Sequence, residues 1–305
     1  MLNDVMSARL RGAVYGQAVG DALGVPFEFK SRDSFQCTDM IGNGTHYKPA
    51  GTWSDDTAMM LGTLDSLADT NGVVNADDMR GKFLAWARNG EYTPDGDVFD
   101  IGNTTSIALG SGKGQTGERD NGNGSLMRII PLAFVDCSDD DIRAASAVTH
   151  AHEISASACV RFIHAARLLI AESDGWLSGT PAGDGKIVRA RRIAAIDKAC
   201  GIAGLENIRT APRNQIRSGG FVLDTLRAAF WCLVTTDCYA DCVRAAVNLG
   251  SDSDTTAAVA GALAGIVYGF DANPWAGEIR GANLLDQWIG KAVSSLPDWQ
   301  PESAE

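Results

Sequence analysis

Acidic and hydroxyl side chains are concentrated in two short segments, and each segment lies directly before an apolar stretch. The first is Ser54-Asp55-Asp56-Thr57 and the second is Ser251-Asp252-Ser253-Asp254-Thr255. Asp, Ser and Thr in such positions commonly cap helices, so each segment alone predicts only a helix N-terminus. One helix needs only one cap, however, and adjacent like charges are unfavourable unless a cation or the helix dipole offsets them.

The two acidic segments match each other although about 200 residues separate them. Carboxylate and hydroxyl oxygens are the preferred ligands of hard divalent cations. Four carboxylates, on Asp55, Asp56, Asp252 and Asp254, are enough for two metal ions. We therefore predict that two helix ends converge on a metal site. The alternative, in which both segments are helix caps only, leaves their similarity unexplained.

Glycine spacing predicts how the helices that carry these acids are held together. Glycine recurs at every fourth position in two apolar segments: Gly12, Gly16, Gly20 and Gly24 in the first, and Gly261, Gly265 and Gly269 in the second. Glycine destabilises a helix by about 1 kcal/mol relative to alanine, so a register of glycines indicates close approach of another backbone. We predict that a helix at about 8–23 packs against the helix behind Asp254 as a central pair.

Helical patterns cover most of the remaining chain, and strand alternation is scarce. They fall at about 55–70, 76–89, 97–110, 125–135, 139–149, 153–173, 186–203, 219–235, 239–248, 254–270 and 281–295. Irregular or Gly-rich segments lie at 30–50, 111–124, 174–185 and 204–218. Because no heptad repeat persists, we predict an all-α multi-helix bundle rather than a coiled coil.

Composition favours one intracellular domain. No repeat or change of composition divides the 305 residues, so we predict a single domain over 1–305, with a core at about 8–296 and a short polar C-terminal tail. A net charge of −12 without a dense Lys/Arg cluster argues against direct nucleic-acid binding and against anionic membranes. No signal peptide or membrane-spanning stretch is evident, and seven scattered cysteines without a CxxC pair are typical of reduced thiols, which predicts a cytoplasmic protein.

Further residues could contribute to chemistry, although each has a plain structural alternative. Asn121-Gly122-Asn123-Gly124-Ser125-Leu126-Met127-Arg128 ends a Gly-rich loop before a helix, a pattern that lets backbone N–H groups meet an anion. It is not a Walker loop, and Arg128 could instead form a structural ion pair. Glu28, in a short apolar loop, is either a surface acid or salt-bridge partner, or a base acting on a metal-polarised water. Taken alone, Asp100 is most simply interpreted as a helix cap.

The histidines give a weaker signal. His150 and His152 lie at a helix boundary without the spacing of a zinc motif, so they are either structural or in contact with a substrate. His46 and His164 carry no recognisable pattern.

Together these segments resemble the ADP-ribosylglycohydrolases. The motifs occur in the family's order: Gly20-Asp21-Ala22-Leu23-Gly24 with Glu28, Trp53-Ser54-Asp55-Asp56-Thr57, Asp100-Ile101-Gly102-Asn103, Gly122-Asn123-Gly124-Ser125-Leu126-Met127-Arg128, Thr149-His150 and Ser251-Asp252-Ser253-Asp254-Thr255. The resemblance covers about residues 10–270. Within the family, the chain is similar to the dinitrogen-reductase-activating glycohydrolase branch and its relatives. Several motifs in register make it specific for the family and much less specific for the substrate.

The resemblance implies an all-α fold with two magnesium or manganese ions in a central cleft. It implies that the metal ligands are Ser54, Asp55, Asp56, Asp252, Asp254 and Thr255, with Ser54 standing where relatives often have threonine. Glu28 would be a catalytic residue that handles the attacking water, and Asp100 a catalytic residue on the leaving-group side. Substrate contacts would come from Gly102, Asn103, Asn121, Gly122, Asn123, Gly124, Ser125, Met127, Arg128 and His150. We favour His150 over His152, because it follows Thr149 as in the family pattern.

The predicted activity is metal-dependent removal of ADP-ribose from an ADP-ribosylated protein, with arginine as the modified side chain. Water would attack ribose C1 through an oxocarbenium-like state. Two alternatives stay open: a non-catalytic protein that binds ADP-ribose, and a hydrolase of another ADP-ribose linkage or of a nucleotide. Variable loops at about 30–50, 111–121 and 174–185 would decide the linkage.

Overall fold

A computed structural model describes residues 1–172 and 185–301, with side chains described outside 173–188. Across these residues the regular structure is helical, and β-pairing is confined to isolated bridges, which confirms the all-α prediction. The predicted variable loop at 174–185 and the end of the C-terminal tail lie outside the described residues, apart from Gly185. The α-helices of the described residues are α1 Asp4–Gly24, α2 Asp55–Asp69, α3 Ala76–Asn89, α4 Asn103–Ser111, α5 Asp139–Ala147, α6 Glu153–Glu172, α7 Gly185–Ile202, α8 Val222–Thr235, α9 Tyr239–Val247, α10 Ser253–Tyr268 and α11 Ala282–Ser295.

Two predicted helices differ from the structure. The helix expected at 97–110 begins only at Asn103, after the N-cap residue Gly102. The helix expected at 125–135 is replaced by two short 3₁₀ turns, Asn123–Ser125 and Ile130–Phe134. Pro131 lies in the first turn of the second segment, and its missing N–H and fixed φ prevent an α-helix from running through it.

The predicted pairing of α1 with α10 is confirmed. A Cβ added to Gly16 would lie 2.2 Å from the carbonyl oxygen of Gly261, and one added to Gly12 would lie 2.4 Å from that of Gly265. At the other end of α1, Gly24 faces the backbone of Asp254. The two helices therefore run antiparallel in backbone contact, and the end of α1 meets the acidic start of α10. Gly269 is not part of this seam, because it ends α10 with a φ of 83°.

One apolar core surrounds this helix pair. A continuous cluster of buried hydrophobic residues includes side chains from Leu2 to Leu296, with α8 and α9 packed on α10 and α11 packed on α2. This shared core supports the single-domain prediction, which stays a prediction. All seven cysteines are free, as expected for reduced thiols, and the cytoplasmic location likewise stays a prediction.

Contrary to the sequence expectation, one helix of the described residues is long and apolar enough to cross a membrane. This helix is α6, and 61% of its apolar window is buried inside the structure. It packs against α5, α7 and α8. Its apolar character is therefore accounted for by packing within the protein.

Candidate metal centre

The two acidic segments meet where α2 and α10 begin. The Thr255 hydroxyl donates to Oδ2 of Asp56 over 3.2 Å, across 199 residues of sequence. Ser54 is the N-cap of α2, and its hydroxyl donates to the same Asp56 oxygen over 3.0 Å. The prediction that two helix ends converge is therefore confirmed.

Asp21, which lies in α1, fixes the start of α2. Its carboxylate accepts hydrogen bonds from the Ser54 N–H at 2.9 Å, the Thr57 N–H at 3.0 Å and the Thr57 hydroxyl at 2.6 Å. A neighbouring α1 residue, Gln17, donates to the carbonyl oxygen of Asp56 over 3.0 Å. The helix that packs on α10 thus also orients the acids of α2.

The acids at this junction are deeply buried. Carboxylate oxygens of Asp21, Asp56 and Asp254 lie within 4.8 Å of one another, and all three side chains are fully buried. Burial raises the pKa of Asp21 to about 6. Burial, and then the charges of neighbouring acids, raise the pKa values of Asp56 and Asp254 well above the usual range. Without a cation, ionisation of this cluster is therefore strongly opposed.

The hydrogen bonding of the cluster fits a bound cation. Oδ2 of Asp56 accepts from two hydroxyls, whereas Oδ1 is buried without a hydrogen-bond partner. In Asp254, Oδ1 accepts from the Thr255 N–H at 2.9 Å and Oδ2 has no partner. Buried acceptors without donors are costly. Hard divalent cations bind such oxygens, so the residues present fit a metal centre.

An open cleft of about 280 Å³ lies above the acidic cluster. Twelve of the predicted site residues line it: Glu28, Asp55, Asp100, Gly102, Asn103, Gly122, Asn123, Gly124, Met127, His150, Asp252 and Thr255. Phe29, Thr104, Thr105 and Gly220 also line the cleft and were not anticipated. Ser54, Asp56 and Asp254 do not line it, but their contacts place them beside Thr255, which does.

A second group of possible metal-binding side chains includes two residues that line the cleft, Glu28 and Asp100. Glu28, His46, Asp100 and Asp254 each present a ligand atom, all within 4.8 Å of one another. Burial, and then the charge of Asp252, raise the pKa of Glu28 to about 8. Burial, and then the charge of Glu28, raise the pKa of Asp100 to about 7. Two carboxyl groups that titrate near neutral pH are suited to proton transfer.

The Gly-rich loop packs against His150. A Cβ added to Gly124 would lie 2.8 Å from Cε1 of His150, and one added to Gly122 would lie 3.3 Å from Nε2. Burial, and then the charge of Arg128, lower the pKa of His150 to about 3, so this imidazole is neutral. His152 is half-buried, and its Nδ1 accepts from the Ile154 N–H. Of the two histidines, His150 is the one on the cleft.

Three residues predicted to contact substrate do not line the cleft. The Arg128 guanidinium is fully buried, donates to the Thr149 hydroxyl and to the carbonyls of Ala145 and Ser146, and lies over the Phe83 ring. Its guanidinium therefore does not face the cleft, and this placement gives no support to the prediction that Arg128 contacts the substrate. Ser125 is likewise fully buried, and its hydroxyl contacts Cys159.

Asn121 is the third of these residues. Its side chain is buried and bonded to Ser155 and to the carbonyl of Glu118. Its side chain therefore stabilises the loop through contacts within the protein and does not face the cleft.

A model of the ADP-ribosylglycohydrolase family matches residues 2–302. The chain belongs to the ADP-ribosylglycohydrolase family. The predicted resemblance is thereby confirmed, and the family and the names of its relatives indicate hydrolase activity on ADP-ribosyl groups. The family assignment also agrees with an acidic cluster that could hold metal ions.

Curated relatives and a solved structure agree with this assignment. An ADP-ribosylarginine hydrolase Tri1 of Pseudomonas putida (strain GB-1) is 33% identical over 97% of this chain and 80% of that protein. The ADP-ribosyl-[dinitrogen reductase] glycohydrolase of Rhodospirillum rubrum is 28% identical over 87% of each chain. A solved structure titled ADP-ribosylglycohydrolase-related protein complex superposes with a TM-score of 0.74 at 26% identity, covering 96% of this chain and 99% of the other.

Sequence reasoning assigned no site role to Asp21 and found no signal at His46. Asp21 and Gln17 are two polar residues one turn apart in the otherwise apolar part of α1 that begins at Ala13, and this pattern could have marked the face of α1 toward the site. His46 lies in an irregular segment, and its side chain contacts Glu28. No spacing rule connects the two residues, so only the folded structure shows that pair.

Proposed function

We propose that this protein hydrolyses the bond between ribose C1 and a modified arginine side chain and releases free ADP-ribose, with two divalent cations, Mg²⁺ or Mn²⁺, in the acidic centre. One observation carries the proposal: Asp56 and Asp254 each have a buried carboxylate oxygen without a hydrogen-bond donor, beside a cleft lined by acids. Relatives named as ADP-ribosylarginine hydrolases support arginine as the linkage.

The proposed metal ligands are the carboxylates and hydroxyls at the two helix starts: Ser54, Asp55, Asp56, Asp252, Asp254 and Thr255. Divalent cations bound there would neutralise the clustered acids and polarise oxygen atoms of the substrate and of water. Asp21 has a different role, because its oxygens already accept three donors from α2. It holds the ligand-bearing helix in place. The Asn123 amide similarly donates to Oδ2 of Asp252 over 2.7 Å and orients that carboxylate.

Glu28 and Asp100 are the proposed catalytic residues. Hydrolysis adds a hydroxyl group to ribose C1 and returns a proton to the departing guanidine nitrogen. The charge of bound cations would keep Glu28 ionised, so that it accepts a proton from the attacking water, and Asp100 in its protonated form supplies the proton to the leaving group. The surrounding carboxylates stabilise the positive charge that develops on the ribose ring. Glu28 and Asp100 each present an oxygen within 4.8 Å of one on Asp254, a proposed metal ligand, which supports a role for both acids next to the cations.

The diphosphate of ADP-ribose is proposed to bind at the glycine-rich wall of the cleft. α4 begins there, and its N-cap residue Gly102 provides no side-chain hydrogen bond to the first helical N–H groups. Those N–H groups, with the adjacent backbone of Gly122 and Gly124, can receive an anion. His150 is neutral and can add a hydrogen bond without adding charge.

The test is product analysis on a mono-ADP-ribosylated arginine peptide, with Mg²⁺ or Mn²⁺ and with a chelator. We expect free ADP-ribose and unmodified peptide, dependence on the cation, and loss of turnover in Asp254→Asn. Asp271→Asn, which changes an exposed acid, serves as the matched control. Release of AMP or phosphate would instead indicate a phosphohydrolase. ADP-ribose binding without turnover on arginine, serine or other O-linked substrates would indicate a binding protein.

A further inference from the structure

A tight turn brings His46 into contact with Glu28, which lines the cleft. The turn is a 3₁₀ segment, Gly44–His46, between Asn43 and Tyr47, and both flanking residues have positive φ, 64° and 55°. A Cβ added to Gly44 would lie 2.1 Å from the carbonyl oxygen of Pro26. The Thr45 hydroxyl donates to the backbone oxygen of Glu28 over 2.6 Å. The turn is therefore anchored directly on the segment that bears Glu28.

The His46 side chain contacts the Glu28 carboxylate. Nε2 of His46 is bonded to Oε2 of Glu28 and lies 4.0 Å from Oδ1 of Asp100. The imidazole lies near two aromatic rings, with its centroid 6.1 Å from that of Phe29 and 5.2 Å from that of Phe99. Only 16% of the His46 side chain is exposed. Both the ring and its hydrogen-bonding nitrogen therefore have a fixed orientation.

We propose that His46 is a positioning residue for Glu28: its Nε2 holds the Glu28 carboxylate over the metal ligands, in the place from which it accepts the proton of the attacking water. The inference rests on the proposed function of Glu28. A glutamate on a loop has several rotatable bonds, and a partner that fixes its carboxylate lowers the cost of reaching the reactive geometry. The observed turn supplies such a partner from outside the acidic cluster.

A set of three substitutions separates positioning from other roles of His46. In His46→Gln the amide nitrogen can reach the place of Nε2, whereas in His46→Asn the shorter side chain cannot. His46→Ala removes the contact altogether. His164→Ala is the matched control, since that exposed histidine pairs with Asp139 over 2.7 Å on the surface. Each variant is measured for kcat and KM at saturating Mn²⁺, for the Mn²⁺ concentration that gives half-maximal rate, for the Kd of ADP-ribose, and by crystallography.

We expect kcat to fall about 10- to 100-fold in His46→Ala and His46→Asn, as for other residues that orient a catalytic group. KM, the Kd of ADP-ribose and the half-maximal Mn²⁺ concentration should stay within about threefold, and His46→Gln should recover most of the lost rate. In crystals, the Glu28 carboxylate should keep its place in the wild type and in His46→Gln, and leave it in His46→Ala.

Three results would overturn the inference. One is an unmoved Glu28 in the His46→Ala crystal, and another is equal rates for His46→Gln and His46→Asn. The third is a loss that excess Mn²⁺ restores, which would make His46 a metal ligand. If the wild-type protein fails to hydrolyse any ADP-ribosylated substrate, the proposed function is refuted. The crystal structures would still decide whether His46 positions Glu28.

Discussion

Raising the pH should destabilise the protein when divalent cations are removed, and much less when they are present. The reason is the set of buried acids whose pKa values are raised in the folded state. For Asp21 the pKa rises from 3.8 to about 6, because burial opposes ionisation. Below the lower value both the folded and the unfolded states bind the proton. Above it the unfolded state releases the proton first, so stability falls as the pH rises through the folded pKa.

The size of this effect follows from the shift. About two pKa units at about 1.4 kcal/mol each give about 3 kcal/mol lost between about pH 4 and pH 7 for Asp21 alone. With an unfolding entropy of about 2 cal/mol/K per residue, this loss lowers the Tm of a 305-residue chain by about 5 °C. Asp100 and Glu28, with pKa values of about 7 and about 8, act in the same direction and extend the loss toward pH 8.

The assay is differential scanning calorimetry between pH 4 and pH 8, with a chelator and with saturating Mn²⁺ or Mg²⁺. A cation favours the ionised acids, so its binding should release protons and restore the Tm at high pH. Asp55→Asn removes one of the crowded charges and should flatten the pH dependence of the chelated protein, while Asp271→Asn should leave it unchanged. A Tm of the chelated wild type that stays level or rises from pH 4 to pH 8 would refute the reasoning.

Three further predictions concern the seam between α1 and α10, the proposed metal ligand Asp254, and His150. Gly16→Ala should cost about 1–3 kcal/mol in chemical denaturation, because its Cβ would lie 2.2 Å from the Gly261 carbonyl oxygen. Gly81→Ala, which meets nothing within 4 Å, should be neutral or stabilising by up to about 1 kcal/mol; equal losses would contradict the seam. Asp254→Asn should weaken Mn²⁺ binding in titration calorimetry by at least about tenfold, because it removes a charged ligand; unchanged affinity would exclude it from the metal site. His150→Asn should raise KM but keep the inflections of the pH–rate profile, because burial and the charge of Arg128 lower the pKa of His150 to about 3; a lost inflection would contradict its neutral state.

Regular spacing made the frame of the site predictable. The glycines of α1 and α10 recur once per turn, so the sequence alone indicated which faces of the two helices meet. The acids before α2 and α10 combine helix capping with an excess of like charge, and this excess indicated a cation. Helix limits were less predictable, because Pro131 and the glycines before α4 and α8 shift the ends of helices by several residues.

Contacts between irregular segments could not be predicted, because no periodicity links their members. Arg128 follows a glycine-rich loop, and residue type alone does not show which way its side chain points. In the structure its guanidinium lies over the Phe83 ring and donates to the backbone before His150, so it supports the cleft wall from the core. His46 and Glu28 are 18 residues apart on two loops and meet where Gly44 packs against the backbone of Pro26 and Thr45 bonds to Glu28.

The glycine seam is part of the acidic centre as well as of the core. Gly24 ends α1 against the backbone of Asp254, and the Ser253 hydroxyl donates to the Gly24 carbonyl oxygen over 3.0 Å. Three residues earlier on the same helix, Asp21 accepts from the first turn of α2. α1 therefore holds the starts of both acid-bearing helices, α2 and α10, at once. A side chain at Gly24 would move α10 away while α2 stayed tied to Asp21, and the distance between Asp56 and Asp254 would increase. Close packing of the two backbones is thus the physical condition for bringing these acids together. It explains why α1 keeps four glycines in register, although each lowers the stability of the helix by about 1 kcal/mol relative to alanine.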